Sequence, residues 1–214
     1  MLNDLRYAVR TLRKSPGFTL VAVLTLALGI GANTAIFSVI DAVLLRPLPY
    51  AQPGRLVDVN HFYPSLNNLR AGVSVPGFRD YGARTDVFEK SAVETGAAMN
   101  LTGAGEPERV NVTRVSGEFF TTLGVSAALG RTLRPDEAQA GHNQVLVLTD
   151  GYWRRKFGGD STVIGRTLRL NDVDYQVVGV MPASFRDFFG RQTDLWTPIL
   201  FQPADFGDNR RTNE

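Results

Sequence analysis

The sequence predicts an α+β protein, with one N-terminal transmembrane helix followed by an exported domain of mixed sheets and short helices. Three observations predict it. Phe18 to Ile40 form an unbroken apolar run, the rest alternates short Val/Leu-rich stretches with amphipathic ones, and the 214 residues include no cysteine. The lack of cysteine excludes a disulfide-stapled module, a Cys-ligated zinc fold and a thiol enzyme. Hydrophobic residues at 43% and charged ones at 21% are ordinary for a globular chain, so wholesale disorder is excluded too.

Residues 1–15 read as a cytoplasmic amphipathic segment. Leu2, Leu5, Val9 and Leu12 recur at helical spacing while Arg6, Arg10 and Arg13 fall on another face, the pattern of a short helix lying among lipid headgroups. The transmembrane helix is assigned to 16–41. The run FTLVAVLTLALGIGANTAIFSVI (18–40) carries no charge, and at ~1.5 Å per residue it is about 34 Å long, more than the ~30 Å hydrocarbon core of a bilayer. Ser15 and Pro16 suit a helix start and Asp41 ends the apolar run. Arg6, Arg10, Arg13 and Lys14 precede the span, whereas only Arg46 and Arg55 follow it within 41–55. The start is therefore expected on the cytoplasmic side and the remainder outside. A cleaved signal peptide is disfavoured, because the run exceeds the ~7–15 residues of an h-region and no clean A-x-A site follows. Gly29-Ile30-Gly31 lacks the preceding strand and turn of a dinucleotide loop. Close helix packing explains Gly29, Gly31, Ala32 and Ala35 better. Asn33 either hydrogen-bonds another helix or lies near the exported interface.

Residues 42–55, with RPLP at 46–49 and Gln52-Pro53-Gly54, read as a linker, and 56–214 as the exported domain. Leu56–Asn60 is expected as its first strand. Ser74 caps a short helix bearing Phe78 and Tyr81, with Phe88 on the same face and Arg79, Asp80 and Arg84 elsewhere. Ala97–Thr102 and Val110–Val115 read as strands. Ser116 caps a helical turn carrying Phe119, Phe120 and Leu123. Gln144–Leu148 is an apolar strand, and Asp150 caps the helix GYWRRKF, which Gly158-Gly159 ends. Acid at its start and cations at its end suit the macrodipole, and Trp153 and Phe157 share a face. Leu168–Leu170 and Tyr175–Val180 alternate as a hairpin around Asn171–Asp174.

Charge patterning removes a nucleic-acid partner. The net charge is +2, but residues 1–14 alone carry +3, leaving 19 basic and 20 acidic side chains on the other 200 residues. A nucleic-acid footprint needs a basic patch on the folded domain. The 20 arginines against 3 lysines follow base composition as readily as function. With two histidines, His61 and His142, no i, i+4 ligand pair and no cysteine, no metal site is expected, and both histidines read as surface residues. Neither a Walker-type phosphate loop nor a G-x-S-x-G elbow occurs. Glu106/Glu108, Asp136/Glu137 and Asp172/Asp174 read as solvated turn carboxylates rather than a catalytic pair. Asn100-Leu-Thr102 and Asn111-Val-Thr113 match a glycosylation sequon that recurs by chance. Trp153, Phe157, Phe185, Phe188, Phe189 and Trp196 read as core. The residues thus specify no catalytic, cofactor-binding or metal site.

Several phrases together resemble one family: EPERVNVTRVSGEFF (106–120) with LGV and GRTL (130–133), VLVLTDGYWRRKFGGD (145–160), IGRTLRLN (164–171) and YQVVGVMP (175–182). They resemble the MacB-like periplasmic core domain of FtsX-like ABC transporter permeases. The stretch NTAIFSVIDAVLLRPLPY (33–50) is similar to the acidobacterial duplicated orphan permease subgroup. The resemblance implies a single-pass inner-membrane protein, residues 42–214 periplasmic, whose domain of two subdomains couples to ATP-driven motion by mechanotransmission. It implies an FtsX-type permease subunit and a separate cytoplasmic ABC ATPase as partners, with lipid around the anchor and a homo-oligomer as an option. It implies neither enzymatic activity nor a cofactor. Family members continue with more periplasmic domain and three more helices, so this chain is expected to be an N-terminal piece, a split gene product or a degenerate copy. The hairpin turn usually contains Asn-Gly in the family. Asn171-Asp172 here favours a longer loop. The competing expectation is a membrane-anchored periplasmic binding or scaffolding domain without transport coupling.

Overall fold

The structure is a computed structural model, and it describes residues 7, 10–41, 50–63 and 68–207. The α+β class stands. Two compact units divide the chain at Leu48/Pro49. In the first, helix α1 runs from Pro16 to Ile40 over 25 residues, with a mean hydropathy of 2.0 across its most apolar window. Its polar side chains turn back on their own backbone. Thr25 donates to the Val21 carbonyl at 2.9 Å, Ser38 to Thr34 at 2.7 Å and Asn33 Nδ2 to Gly29 at 2.9 Å. Such self-satisfaction lowers the cost of polar groups at membrane depth. Of the amphipathic segment, 10–14 are helical. Leu2, Leu5, Arg6 and Val9 lie outside the described residues, as do 42–49 of the linker and the polar tail beyond Gly207.

Where the resemblance implies two subdomains, the described residues of the second unit form two sheets. A short ladder pairs β1 (His61–Tyr63) with β2 (Asn68–Ala71). The main sheet has seven strands: β3 (Glu94–Thr102), β4 (Glu108–Val115), β5 (Leu129–Gly130), β6 (Val145–Leu148), β7 (Thr167–Leu170), β8 (Val173–Val180) and β9 (Leu195–Pro198). Its order is β5-β8-β6-β9-β4-β3-β7, and β7 also pairs with β8. Six strands therefore close into a ring, and β5 lies beside the last residues of β8. Closure joins the two ends of the sheet, although β3 before Leu101 pairs with β4 alone. The seam between β3 and β7 is narrow, with two paired positions, Leu101 opposite Leu170 and Thr102 opposite Arg169. Asn171 extends it, since its Oδ1 accepts the Asn100 N–H at 2.8 Å.

Strand alternation divides the apolar residues between two cores. Leu101, Val110, Val112, Leu146, Leu148, Leu168, Leu170, Val177 and Leu195 fill the ring's interior. Val115, Val147, Val178 and Trp196 point outward and are covered by Tyr50, Leu133, Phe185 and helix α3 (Phe119–Leu123). A bulge in β8 opposite Leu146/Val147 inserts one extra residue, so the inward series Val177 resumes at Val180. Next to this bulge β8 meets the chain at Arg131 so closely that a Cβ on Gly179 would lie 1.9 Å from the Arg131 carbonyl oxygen. Only glycine fits.

Several expectations are corrected. Residues 56–60 join no ladder, and the first strand starts at His61. The segment read as linker packs onto the domain from Tyr50, which is buried. Ser74 does cap helix α2 (Val75–Gly82), accepting from Gly77 N–H, but Phe88 lies beyond the helix, edge-on to Tyr81. Ser116 does not cap α3. Its hydroxyl accepts the Val93 N–H at 3.1 Å and ties the approach to β3 against the end of β4. Thr149, not Asp150, caps helix α4 (Asp150–Phe157), taking the Tyr152 N–H, while Asp150 pairs with Arg154 one turn on. A β-region backbone at Thr149 is what an N-cap needs, and Asp150 is already helical. The hairpin closes in the two residues Asn171 and Asp172, both with positive φ (46° and 65°), so no longer loop forms. Asn and Asp tolerate the left-handed region that a type I′ turn requires.

Candidate functional site

Polar side chains in the domain collect in three places. At one end of the ring, α4 presents Tyr152, Arg155 and Lys156. The Tyr152 hydroxyl donates to Glu108 at 2.6 Å and Lys156 approaches the same carboxylate at 3.0 Å. The Tyr152 bond, with Lys156 beside it, holds the Glu108 carboxyl below its usual range. Burial, reinforced by Glu108, pushes the Tyr152 phenol up. Arg155 lies over the Tyr152 ring and reaches Asp194 at 2.8 Å, while the other Asp194 oxygen accepts the Asn111 N–H. This set ties α4, β4 and the entry to β9 together.

The second place is Glu137, read from sequence as a solvated turn acid. It is buried, pairs with Arg131 and accepts the Arg134 N–H at 2.8 Å. Its turn folds back on the barrel, and local spacing carries no sign of that. Glu108 is likewise engaged rather than free. Asp172 and Asp174 remain mostly exposed.

The third place was missed in the sequence. Glu94, the first residue of β3, has a side chain only 2% exposed, and its Oε1 accepts from Arg191 Nε at 2.9 Å. Asp187, on the 181–194 connection between β8 and β9, accepts the N–H groups of Phe189 and Arg191 through Oδ1. Burial, together with the charge of the neighbouring Asp187 carboxylate, pushes the Glu94 carboxyl up to about 7. Tyr50 lies alongside. Its hydroxyl donates to the Arg186 carbonyl at 3.0 Å, and burial with the two acids raises it to about 12. Glu94 and Asp187 are 93 positions apart, so no spacing rule joins them.

Two concavities flank these groups. One, of about 620 Å³, is walled by the 51–59 segment, residues around Phe88, the outer side of α3, and Phe188 with Phe189. The other, of about 710 Å³, lies between Arg109 and Asn111 of β4, the start of α4 and the 181–194 connection. Its arginines and aspartates nearly balance, and Arg155, Arg186 and Arg191 are each engaged by acceptors of the same domain. Among the described residues no group of three His, Asp or Glu side chains could hold a metal ion. His61, expected at the surface, is half-buried with Nε2 3.2 Å from the Tyr81 hydroxyl; His142 is exposed. Of the aromatics expected in the core, Phe185 and Trp196 are buried, while Phe189 is 49% exposed.

A closed mixed barrel with two open clefts, in a chain that also holds one helix long and apolar enough to cross a bilayer, defines the class: a candidate membrane-anchored domain protein. The MacB-like periplasmic core domain matches residues 19–213, and the chain belongs to that family. It is 30% identical over 105 residues to the macrolide export ATP-binding/permease protein MacB of Chromobacterium violaceum, covering 49% of this chain and 16% of that protein. The periplasmic region of MacB from Actinobacillus actinomycetemcomitans matches at a TM-score of 0.50 and 18% identity, over 65% of this chain and 62% of that one. It shares the fold. The extracellular domain of the noncanonic ABC-type transporter YknZ, from Gram-positive bacteria, aligns at a TM-score of 0.40 and 12% identity over 50% of this chain and 52% of that one.

Proposed function

We propose that this chain is a component of an ABC-type permease, anchored by α1 in the inner membrane with its start in the cytoplasm and residues 42–214 in the periplasm. The domain would pass on conformational change driven by ATP hydrolysis in a separate cytoplasmic ATPase, working beside an FtsX-type subunit. The observation that carries this reading is the unbroken family match from residue 19, inside the apolar helix, to residue 213. Anchor and domain belong to one family unit rather than to a chance fusion. Four basic residues before the span against two after it support the orientation. A tied barrel end, where α4, β4 and β9 are cross-linked by Tyr152, Arg155 and Lys156, suits a part that must move as a body.

Detergent-solubilised pulldown after cross-linking tests the assembly. Recovery of an FtsX-type helical protein together with an ABC ATPase is the expected result, and the intact chain without either overturns the reading. Because the protein has no cysteine, a Thr121→Cys variant reports sidedness. This exposed position should react with an impermeant maleimide in spheroplasts. The two concavities favour a second reading, a membrane-anchored periplasmic binding or scaffolding domain. Cross-links to partners that are indifferent to ATP would select it.

A further inference from the structure

Two carboxylate oxygens are left over around the 181–194 connection. Glu94 Oε2 and Asp187 Oδ2 are both buried, and neither has a donor. Each carboxylate's other oxygen is taken, Glu94 Oε1 by Arg191 Nε and Asp187 Oδ1 by two backbone N–H groups. Two buried acceptors with no donor repel each other and lose their hydration, which costs several kcal/mol in order of magnitude. One proton between them removes both penalties. It turns one oxygen into a donor, and two acids, one proton and the Arg191 guanidinium sum to zero charge.

We propose that Glu94 and Asp187 share one proton and form a pH-sensitive latch fastening the 181–194 connection, with the cleft wall it carries, to the start of β3. The charged and titratable groups facing the pair are few. Arg191 comes from the connection itself and favours ionisation of Glu94, through Oε1 alone, against the burial and the Asp187 charge that oppose it. Tyr50 comes from the segment packed beside the connection and stays neutral below about pH 12. On β4, Val115 stands opposite Glu94, and Arg114 pairs with Thr95 on the other face of the strands. Arg186 is turned to the carbonyls of Ala183 and Phe185.

When the proton is lost, two buried negative charges face one guanidinium. The stretch 186–191 is the part able to yield. It lies between Phe185, buried in the outer core, and Thr193 and Asp194, bonded to β4. Besides its turn bonds it is held by the Arg186 carbonyl to Tyr50, the aromatic contacts of Phe188 and the Arg191 pair with Glu94 itself. Its withdrawal carries Phe188 and Phe189, which line the first cleft, and frees Tyr50, whose hydroxyl is held by the Arg186 carbonyl. In acid the latch is shut. In mild alkali the cleft wall loosens.

Hydrogen exchange of the full chain in detergent micelles, read on peptides covering 185–191 and scaled for intrinsic exchange, tests this at about pH 5.5 and 8.5. Wild-type protection should fall at least about tenfold at the higher pH. Glu94→Gln places an amide donor against Asp187 and leaves no proton to be shared, and should be equally protected at both. Equal wild-type protection at both pH values, or an undiminished drop in Glu94→Gln, overturns the latch. Should that variant fail to fold, wild-type infrared spectra decide. A protonated-carboxyl band persisting at about pH 6 and lost by pH 8.5 supports the shared proton, and its absence at about pH 6 refutes it. Recovery of protection at pH 8.5 on adding sodium or calcium chloride, but not choline chloride, would assign the two oxygens to a cation and also overturn it.

Discussion

The two faces of the barrel wall are packed by different chemistry. Inside, the side chains are Leu and Val from alternating strand positions, with Tyr152 as the one aromatic among the fully buried members. Outside, aromatics dominate: Tyr50, Phe119, Phe120, Phe185 and Trp196 meet edge to face or tilted at 5.3–6.3 Å. The interior is made by residues that already share a strand period. The exterior is made by laying pieces from positions 50, 119–123, 133 and 181–188, none of which belongs to the strands, over Val115, Val147, Val178 and Trp196. A small ring has room only for branched aliphatic side chains, whereas an open face needs large flat ones to cover it. The polar groups divide the same way. The ion pairs at the α4 end are satisfied, while the outer side holds two orphaned acid oxygens and the unpaired Trp196 Nε1.

Matched truncations break or sharpen this contrast most strongly. Phe120→Ala, fully buried on the outer face, should cost about 4 kcal/mol, and Leu146→Ala, fully buried inside, about 3 kcal/mol. Urea unfolding followed through Trp196 and Trp153 in single-tryptophan backgrounds reads both. Coincident transitions make the two cores one cooperative unit, and separated ones make them independent. Gly179→Ala drives a Cβ against the Arg131 carbonyl at the bulge that joins the faces, and should cost about 3 kcal/mol in the same experiment.

A pH series singles out the outer side. The Glu94 carboxyl is raised in the folded state, so between its ordinary range and about pH 7 the folded chain holds a proton that the unfolded chain has released. Its stabilising effect is complete in acid and is lost as pH rises through about 7, on the order of 1–2 kcal/mol, seen as a lower Tm. Glu94→Gln should flatten that slope, while Leu146→Ala should shift the curve without changing its slope. Smallest is the seam. Asn171→Ala removes the bond to the Asn100 N–H and should cost about 1 kcal/mol, read as faster exchange of the β3/β7 amides.

Helix α1, strands β3, β4 and β6, the β7/β8 hairpin and helix α4 were legible because each is encoded within some twenty neighbouring residues. So was the Ser74 cap. The errors fall where a local signal met a distant partner. Ser116 looks like a cap but is claimed by Val93, and Tyr50 looks like linker but is claimed by Phe185 and Phe188. Glu137 looks like a turn acid until Arg131 and the Arg134 N–H surround it. Asn171-Asp172 was read as a longer loop because neither residue is glycine, yet both enter the left-handed region.

The sequence by itself determined the apolar helix, the strand periods, the α+β class and the family, since these depend on composition and on order within short stretches. Tertiary structure alone decided that the strands close through the β3/β7 seam, that an aromatic core forms outside the ring, and that Glu94 meets Asp187 away from water. The physical reason is range. Backbone conformation and hydrophobic period act over a few residues, but desolvation and charge act over a few ångströms between residues the chain may hold far apart.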